Sequence, residues 1–358
     1  MSFFENEGKT RREFVRDVAL ASTAAAIVPS LAARPIPAAQ RKYDHIFKKL
    51  VFKKPTGNVG PGSADNLVHL NGSDMEGSDT NFSFGYYSKV GSWTREGSRA
   101  IAHPYDTVIM FVGLDPKIPD YLGAEIEISL GEENEKHVFN APTVVCVPKN
   151  MLYGPIVTKK VEKAFANYTV GLSSQYGTCT EYAYPYQITS TTPAERATKY
   201  GHLVKKLSLP HEGKPRDASR QGPGNADDIV WPRGALLENF MVNCSWGFYS
   251  GLGNWHGANA DPHIHLGDEL LVFVGLDASR PQYLGAQIDY YNGEDSRSGK
   301  QQEMVAFDTP MCVVCLAGQL HAPLITKKVD KTYAFFLIRR DLGAKTNPSK
   351  TRDGYPIT

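Results

Sequence analysis

The 358 residues are enough for two domains of ordinary size, and a composition of 41% hydrophobic and 22% charged residues describes a chain with a real core, not a disordered one. A formal net charge of +1 gives no field that would draw in nucleic acid or an anionic membrane surface, so neither is expected as a partner. Five cysteines, Cys146, Cys179, Cys244, Cys312 and Cys315, are too few and too scattered for a disulfide framework.

The chain opens with Thr10-Arg11-Arg12-Glu13-Phe14, which resembles a twin-arginine export motif, followed by an Ala-rich, weakly apolar stretch from Val18 to Ala33. That stretch contains Pro29 and many small residues and is too short for a membrane span. Residues 1–39 are therefore expected to be an export signal, with cleavage points offered at Ala32-Ala33 and Ala38-Ala39. The resemblance implies the twin-arginine translocation machinery as a partner and a bacterial periplasmic or secreted location. Such a route carries folded proteins, so a metal low in the divalent affinity series would be loaded before export.

Beyond the signal, the sequence resembles itself. Gly85-Tyr-Tyr-Ser88 matches Gly247-Phe-Tyr-Ser250, and Trp93 matches Trp255. Phe111-Val-Gly-Leu-Asp115 matches Phe273-Val-Gly-Leu-Asp277, all at one offset (247 − 85 = 162). After Gly131 and Gly293 the second copy gains residues around Ser296 to Gln302, and Thr158-Lys-Lys-Val161 then matches Thr326-Lys-Lys-Val329 at the larger offset (326 − 158 = 168). Lys42-Tyr43 through Leu50 resembles Lys199-Tyr200 through Leu207, which places the start of each copy. The expected organisation is a first repeat over 40–187, a Thr-, Ser- and Pro-rich linker at 188–197, a second repeat over 198–343 and a tail at 344–358.

Each copy reads as β. In the first, strands are expected over 108–112, 125–129, 144–147 and 165–170; in the second, over 270–274, 287–291, 312–316 and 333–338. Many short strands separated by regular turns imply a jelly-roll barrel, with helices few and peripheral. Cys312 and Cys315 lie three apart in one such run, so they project to opposite faces and read as core cysteines, not a metal pair.

The chemistry concentrates in the second copy. Gly257 precedes His263-Ile-His265-Leu-Gly-Asp-Glu269, and Gly318-Gln-Leu-His321 follows later. Residues two apart on a strand share a face, so His263 and His265 project together, and a turn at Gly267-Asp268 would return Glu269 to the same interior. His321 after a second glycine turn completes the set, while Asp268 is expected to face away. Three imidazoles and one carboxylate suit one divalent transition metal, Fe, Mn, Ni, Cu, Co or Zn, with positions left for water or substrate.

The pattern G-x5-H-x-H-x3-E followed by G-x2-H resembles the two motifs of the cupin family. The repeat covers roughly residues 42 to 343, so the chain is similar to a two-repeat cupin, a bicupin. Gly275 comes one residue early, and Leu316-Ala317 replaces a Pro-containing pair, but neither position carries a ligand. The resemblance implies an all-β fold of two double-stranded β-helix barrels, with His263, His265, Glu269 and His321 as metal ligands and Fe or Mn favoured. In the first copy only His103 matches a ligand; Ile101, Thr107 and Tyr153 occupy the other three positions, so that barrel reads as metal-free and chiefly a packing partner.

The resemblance implies an enzyme acting on a small organic molecule, phenolic or enolic, in the manner of a dioxygenase. A non-redox lyase, decarboxylase or isomerase is the alternative, and a non-catalytic periplasmic binder of a small molecule or metal is a third. Glu269, His256 and Tyr249 are the residues expected to take part in proton chemistry, with Trp255 and Gln319 nearby. A homodimer is compatible with the sequence but not required by it.

Overall fold

All eight expected strands are present, seven of them extended by a residue or more, as in Thr107–Gly113, Ala124–Leu130, Glu269–Gly275 and Tyr333–Arg340, and the eighth shifted by one residue to Met311–Cys315. The computed structural model describes residues 42–95, 100–178, 199–208, 222–256, 262–293 and 302–340, all within one unit, Pro35–Thr358. The export signal expected at 1–39, the linker 188–197, the tail 344–358, Gly257 and Cys179 lie outside the described residues, as does most of the Ser296 to Gln302 insertion. Helical structure among the described residues is confined to short 3-10 turns, and no helix there is long and apolar enough to cross a membrane.

The strands form two jelly-roll barrels related by the repeat. In the first, a six-stranded sheet runs in the order Val204–Lys206, Thr143–Val147, Thr107–Gly113, Phe165–Gly171, Asn81–Tyr87, Asn66–Leu70. It faces a four-stranded sheet of Gly91–Ser92, Tyr153–Val161, Ala124–Leu130 and Glu135–Phe139. The second barrel repeats this order with Phe47–Lys49, Met311–Cys315, Glu269–Gly275, Tyr333–Arg340, Trp246–Tyr249 and Asp228–Val230 in its large sheet. Its small sheet is Gly253–Asn254, His321–Val329, Ala286–Asn292 and Glu303–Phe307.

The first strand of each repeat pairs with the other repeat's barrel. Phe47–Lys49 lies antiparallel to Met311–Val313, and Val204–Lys206 lies antiparallel to Thr143–Val145. Carboxylates pin both crossings: Glu303 accepts from the Lys42 and Tyr43 backbone amides, and Glu135 accepts from that of Tyr200.

Alternation along the strands then sorts the side chains. On Asn81–Tyr87 the even residues Phe82 and Phe84 face the other barrel, where both rings meet Phe336, while Asn81, Ser83 and Tyr87 face their own barrel's interior. Tyr168 stacks on Phe336 at 4.4 Å and 13°, and Phe84 stacks on Phe336 at 5.4 Å. Such pairs contribute about 0.5–1.5 kcal/mol each beyond their buried area. The phenols at this seam hydrogen-bond across it, Tyr86 to the Gly275 carbonyl and Tyr168 to the Ser245 carbonyl.

Candidate metal centre

Local backbone chemistry brings the four expected ligands together. His263 exchanges both backbone hydrogen bonds with His321 in an isolated bridge, and the chain then bends through Leu266-Gly267. His263 and His265 thus sit on an irregular extended segment, not on the regular strand that their spacing suggests. A Cβ at position 267 would lie 1.5 Å from the Arg340 carbonyl oxygen, so only glycine lets the segment pass that close. Asp268 faces away as expected: its carboxylate accepts from the Ala317 amide, tying the two ligand loops together. Glu269 opens its strand, and the Gly318 turn donates to the His265 carbonyl before His321 opens the opposing strand.

The side chains converge. Glu269 Oε1 lies 3.2 Å from His265 Nε2, and Glu269 Oε2 lies 3.2 Å from His321 Nε2. Ligand atoms of His263, His265 and His321 lie within 4.8 Å of one another. Two atoms each about 2.1 Å from one ion are roughly 3.0 to 3.4 Å apart at octahedral or tetrahedral angles, so the 3.2 Å separations fit a shared cation. His321 donates from Nδ1 to the Gln319 carbonyl, which fixes the ring and points Nε2 inward, where that buried nitrogen has no hydrogen bond. A buried, unsatisfied imidazole nitrogen aimed at a carboxylate is what a metal ligand looks like before it takes up its ion.

The charge states agree. Burial pushes the Glu269 carboxyl up, but the facing His265 and His321 imidazoles outweigh it and hold the group well below the usual carboxylate range. Burial and the neighbouring His321 and His265 rings push His263 well below the usual imidazole value. An ionised carboxylate and neutral imidazoles are the forms that bind metal.

Two residues at the site escaped the sequence reading. Arg339, 8% exposed, stands directly across the ladder from Glu269, with Nη1 3.4 Å from His265 Nδ1. Its counterpart in the first barrel is Gly171 (339 − 171 = 168), where the side chains of Asn81 and Tyr105 take the space. Cys315, read from sequence as a core residue, also stands across from Glu269 and lies within 4.8 Å of the Glu269 and His321 ligand atoms. Burial, then the Glu269 charge, pushes its thiol up, and Tyr290 bonds to its sulfur at 2.9 Å. Cys312 projects to the opposite face, as its spacing from Cys315 predicts.

The expected proton-transfer residues separate. His256 is exposed at the rim, its ring 5.9 Å from that of His263. Tyr249 is not at the centre. It pairs with Tyr333, which pairs with Gly275, six ladder positions or about 20 Å from Glu269. There it stacks on Trp255 at 4.3 Å in an aromatic layer with Tyr333 and Phe335, so packing explains it. Gln319 donates to Asn292 and carries the carbonyl that orients His321.

Ala322, directly after His321, has φ +78°, a left-handed conformation, and its counterpart in the first barrel is Gly154 at φ +92°. A Cβ there costs about 1–2 kcal/mol. Ala322→Gly is expected to stabilise the metal-free protein by up to about 1 kcal/mol in chemical denaturation, since the added chain entropy of glycine offsets part of the relief.

No family model matches the chain, and no curated protein matches it. Solved structures of the oxalate decarboxylase of Bacillus subtilis are similar in part. A tryptophan-to-tyrosine variant gives a TM-score of 0.47 at 7% identity over 82% of this chain and 77% of that one. An arginine-to-alanine variant gives 0.47 at 8% over the same shares, and a structure from work on that enzyme's Mn(II) centres gives 0.46 at 7%. The barrels and the site described above stand on this chain's own strands and side chains.

Proposed function

We propose that the protein is a metal-dependent lyase, decarboxylase or isomerase that acts on a small carboxylate or enolate in the second barrel. The observation that carries this is Arg339. Its guanidinium stands across the ladder from Glu269 and 3.4 Å from His265 Nδ1, so a second cationic group lies beside the metal that the four ligands would hold. A guanidinium fork beside a divalent ion suits a carboxylate or enolate substrate.

The four ligands would hold Mn or Fe, which supplies a Lewis acid for the negative charge that develops on substrate oxygen. Arg339 binds and orients the anionic end. Tyr290 and Cys315 form a fixed wall beside Glu269, and exposed His256 exchanges a proton between site and solvent. The dioxygenase expectation needs dioxygen as co-substrate. Turnover of small 2-oxo and dicarboxylic acids at an undiminished rate under anaerobic conditions selects the lyase, and turnover that stops without oxygen rejects it.

Arg339→Met tests the anion site. It is expected to keep a full equivalent of metal and lose on the order of 100-fold in kcat/KM, because a buried charge partner is gone. An unchanged kcat/KM with metal retained would remove Arg339 from substrate binding. Export in the folded state through the segment around Arg11-Arg12 belongs to the same proposal, motivated by that motif and the Ala-rich stretch after it. Retention of the Arg11→Lys, Arg12→Lys double variant inside the cell is the expected result, and its unchanged export would reject the route.

A further inference from the structure

The two barrels are filled differently. In the metal-binding barrel Phe335 packs against Tyr249, Trp255 and Phe273 at ring separations of 5.7, 5.0 and 5.1 Å, with buried Leu337 next along the same face. At the matching positions of the first barrel stand Asn167 (335 − 167 = 168) and Thr169 (337 − 169 = 168). A phenyl and an isobutyl group are thus replaced by two short polar side chains, and a cavity of about 430 Å³ occupies the first barrel's interior. Pockets of about 300–1,000 Å³ hold small organic ligands.

Its walls carry no Asp, Glu, Lys or Arg among the described residues. One side is aromatic: Tyr87 stacks on Trp93 at 4.0 Å and 21°. The other is polar and fixed, since Asn167 donates to the Met110 carbonyl and Thr169 donates to Asn167 Oδ1. Tyr87, 6% exposed, lines the same cavity with its phenol. Where the other barrel collects its metal ligands, this one closes on itself. His103 Nε2 bonds to the Tyr153 hydroxyl at 2.9 Å and Nδ1 bonds to the Gly177 carbonyl, so both ring nitrogens are taken.

We propose that the first barrel is a binding pocket for a small, uncharged aromatic molecule bearing a hydroxyl group, a monocyclic phenol in size and polarity. The ring packs against Tyr87 and Trp93, and the hydroxyl bonds to Tyr87. An ionised analogue is rejected because no Asp, Glu, Lys or Arg among the described residues lines the cavity. The site does not use the metal centre and does not depend on the function proposed for it.

Calorimetric titration of the full-length, metal-loaded protein with 4-methylphenol and with benzoate tests this. One saturable site for 4-methylphenol, with benzoate at least 100-fold weaker, is the expected result. Thr169→Leu, which copies the residue of the other barrel, should weaken 4-methylphenol at least 10-fold, and His265→Ala should leave it unchanged. No saturable binding, or binding lost in His265→Ala but kept in Thr169→Leu, overturns the proposal. Should Thr169→Leu fail to fold, Tyr87→Phe decides: 4-methylphenol weakened about 5-fold with toluene unchanged supports the pocket, and equal 4-methylphenol affinity refutes it.

Discussion

His265→Ala is expected to purify without metal and without activity, whereas His103→Ala keeps a full equivalent of metal. His265 Nε2 lies 3.2 Å from Glu269 Oε1, and His265 is the strongest single influence keeping that buried carboxylate ionised. Removing the ring deletes one ligand and makes a second a poorer one. The loss in metal affinity should exceed the roughly 100-fold typical of removing a residue that only orients a ligand. His103 has Ile101, Thr107 and Tyr153 where its counterpart has two further histidines and a carboxylate, so no chelate depends on it. His103→Ala instead breaks hydrogen bonds to Tyr153 and Gly177, and should cost about 1–3 kcal/mol of stability. Elemental analysis of both variants, beside thermal melts, separates the two effects. Equal metal loss from both would end the account of a single centre in the second barrel.

The ligands were legible because the constraint on them is local. Two histidines two apart, a glycine bend, a carboxylate and a second glycine turn are short-range features, and each fixes where one donor atom goes. Arg339 and Cys315 were not legible, since they reach the site only through cross-strand register with Glu269, set by residues far apart in the chain. One signal was available: the matched positions Gly171 and Arg339 differ most sharply in side chain where the metal motif is also gained. Tyr249 misled for the opposite reason. Its nearness in sequence to Trp255 and His256 hides a crossing from the large sheet, which holds Trp246–Tyr249, to the small one, which holds Gly253–Asn254, and that leaves Tyr249 at the far end of the barrel.

The exchange of first strands was invisible for a different reason. Lys42 to Leu50 and Lys199 to Leu207 resemble one another, so either segment satisfies the edge of either barrel by composition alone. Only the three-dimensional path of the chain decides which edge it meets. The repeat boundaries at 40 and 198 mark units of sequence, and each barrel is completed by a strand from the other unit.

Neither repeat should therefore fold when expressed alone, and the two should recover a folded, metal-binding complex when co-expressed. Residues 198–343 alone lack the Phe47–Lys49 edge strand, together with Ile46 and Leu50, which are 2% and 0% exposed in the intact chain. Burying each such side chain contributes about 1.5–3 kcal/mol, so these two and the strand ladder weigh against a net stability of about 5–15 kcal/mol. The isolated half also exposes Trp246, Phe248 and Phe336, all buried at the seam of the intact chain, and such a patch favours aggregation. The damage reaches the metal centre itself. Phe47 packs edge-on against Tyr290 at 5.6 Å, and the Tyr290 hydroxyl holds Cys315 beside Glu269. A segment from the first repeat thus supports the wall of the other barrel's site. Size-exclusion chromatography, denaturant melts and metal content of each half, alone and together, measure the dependence. A soluble, monomeric 198–343 fragment that binds metal and unfolds cooperatively would show that the exchanged strand is dispensable.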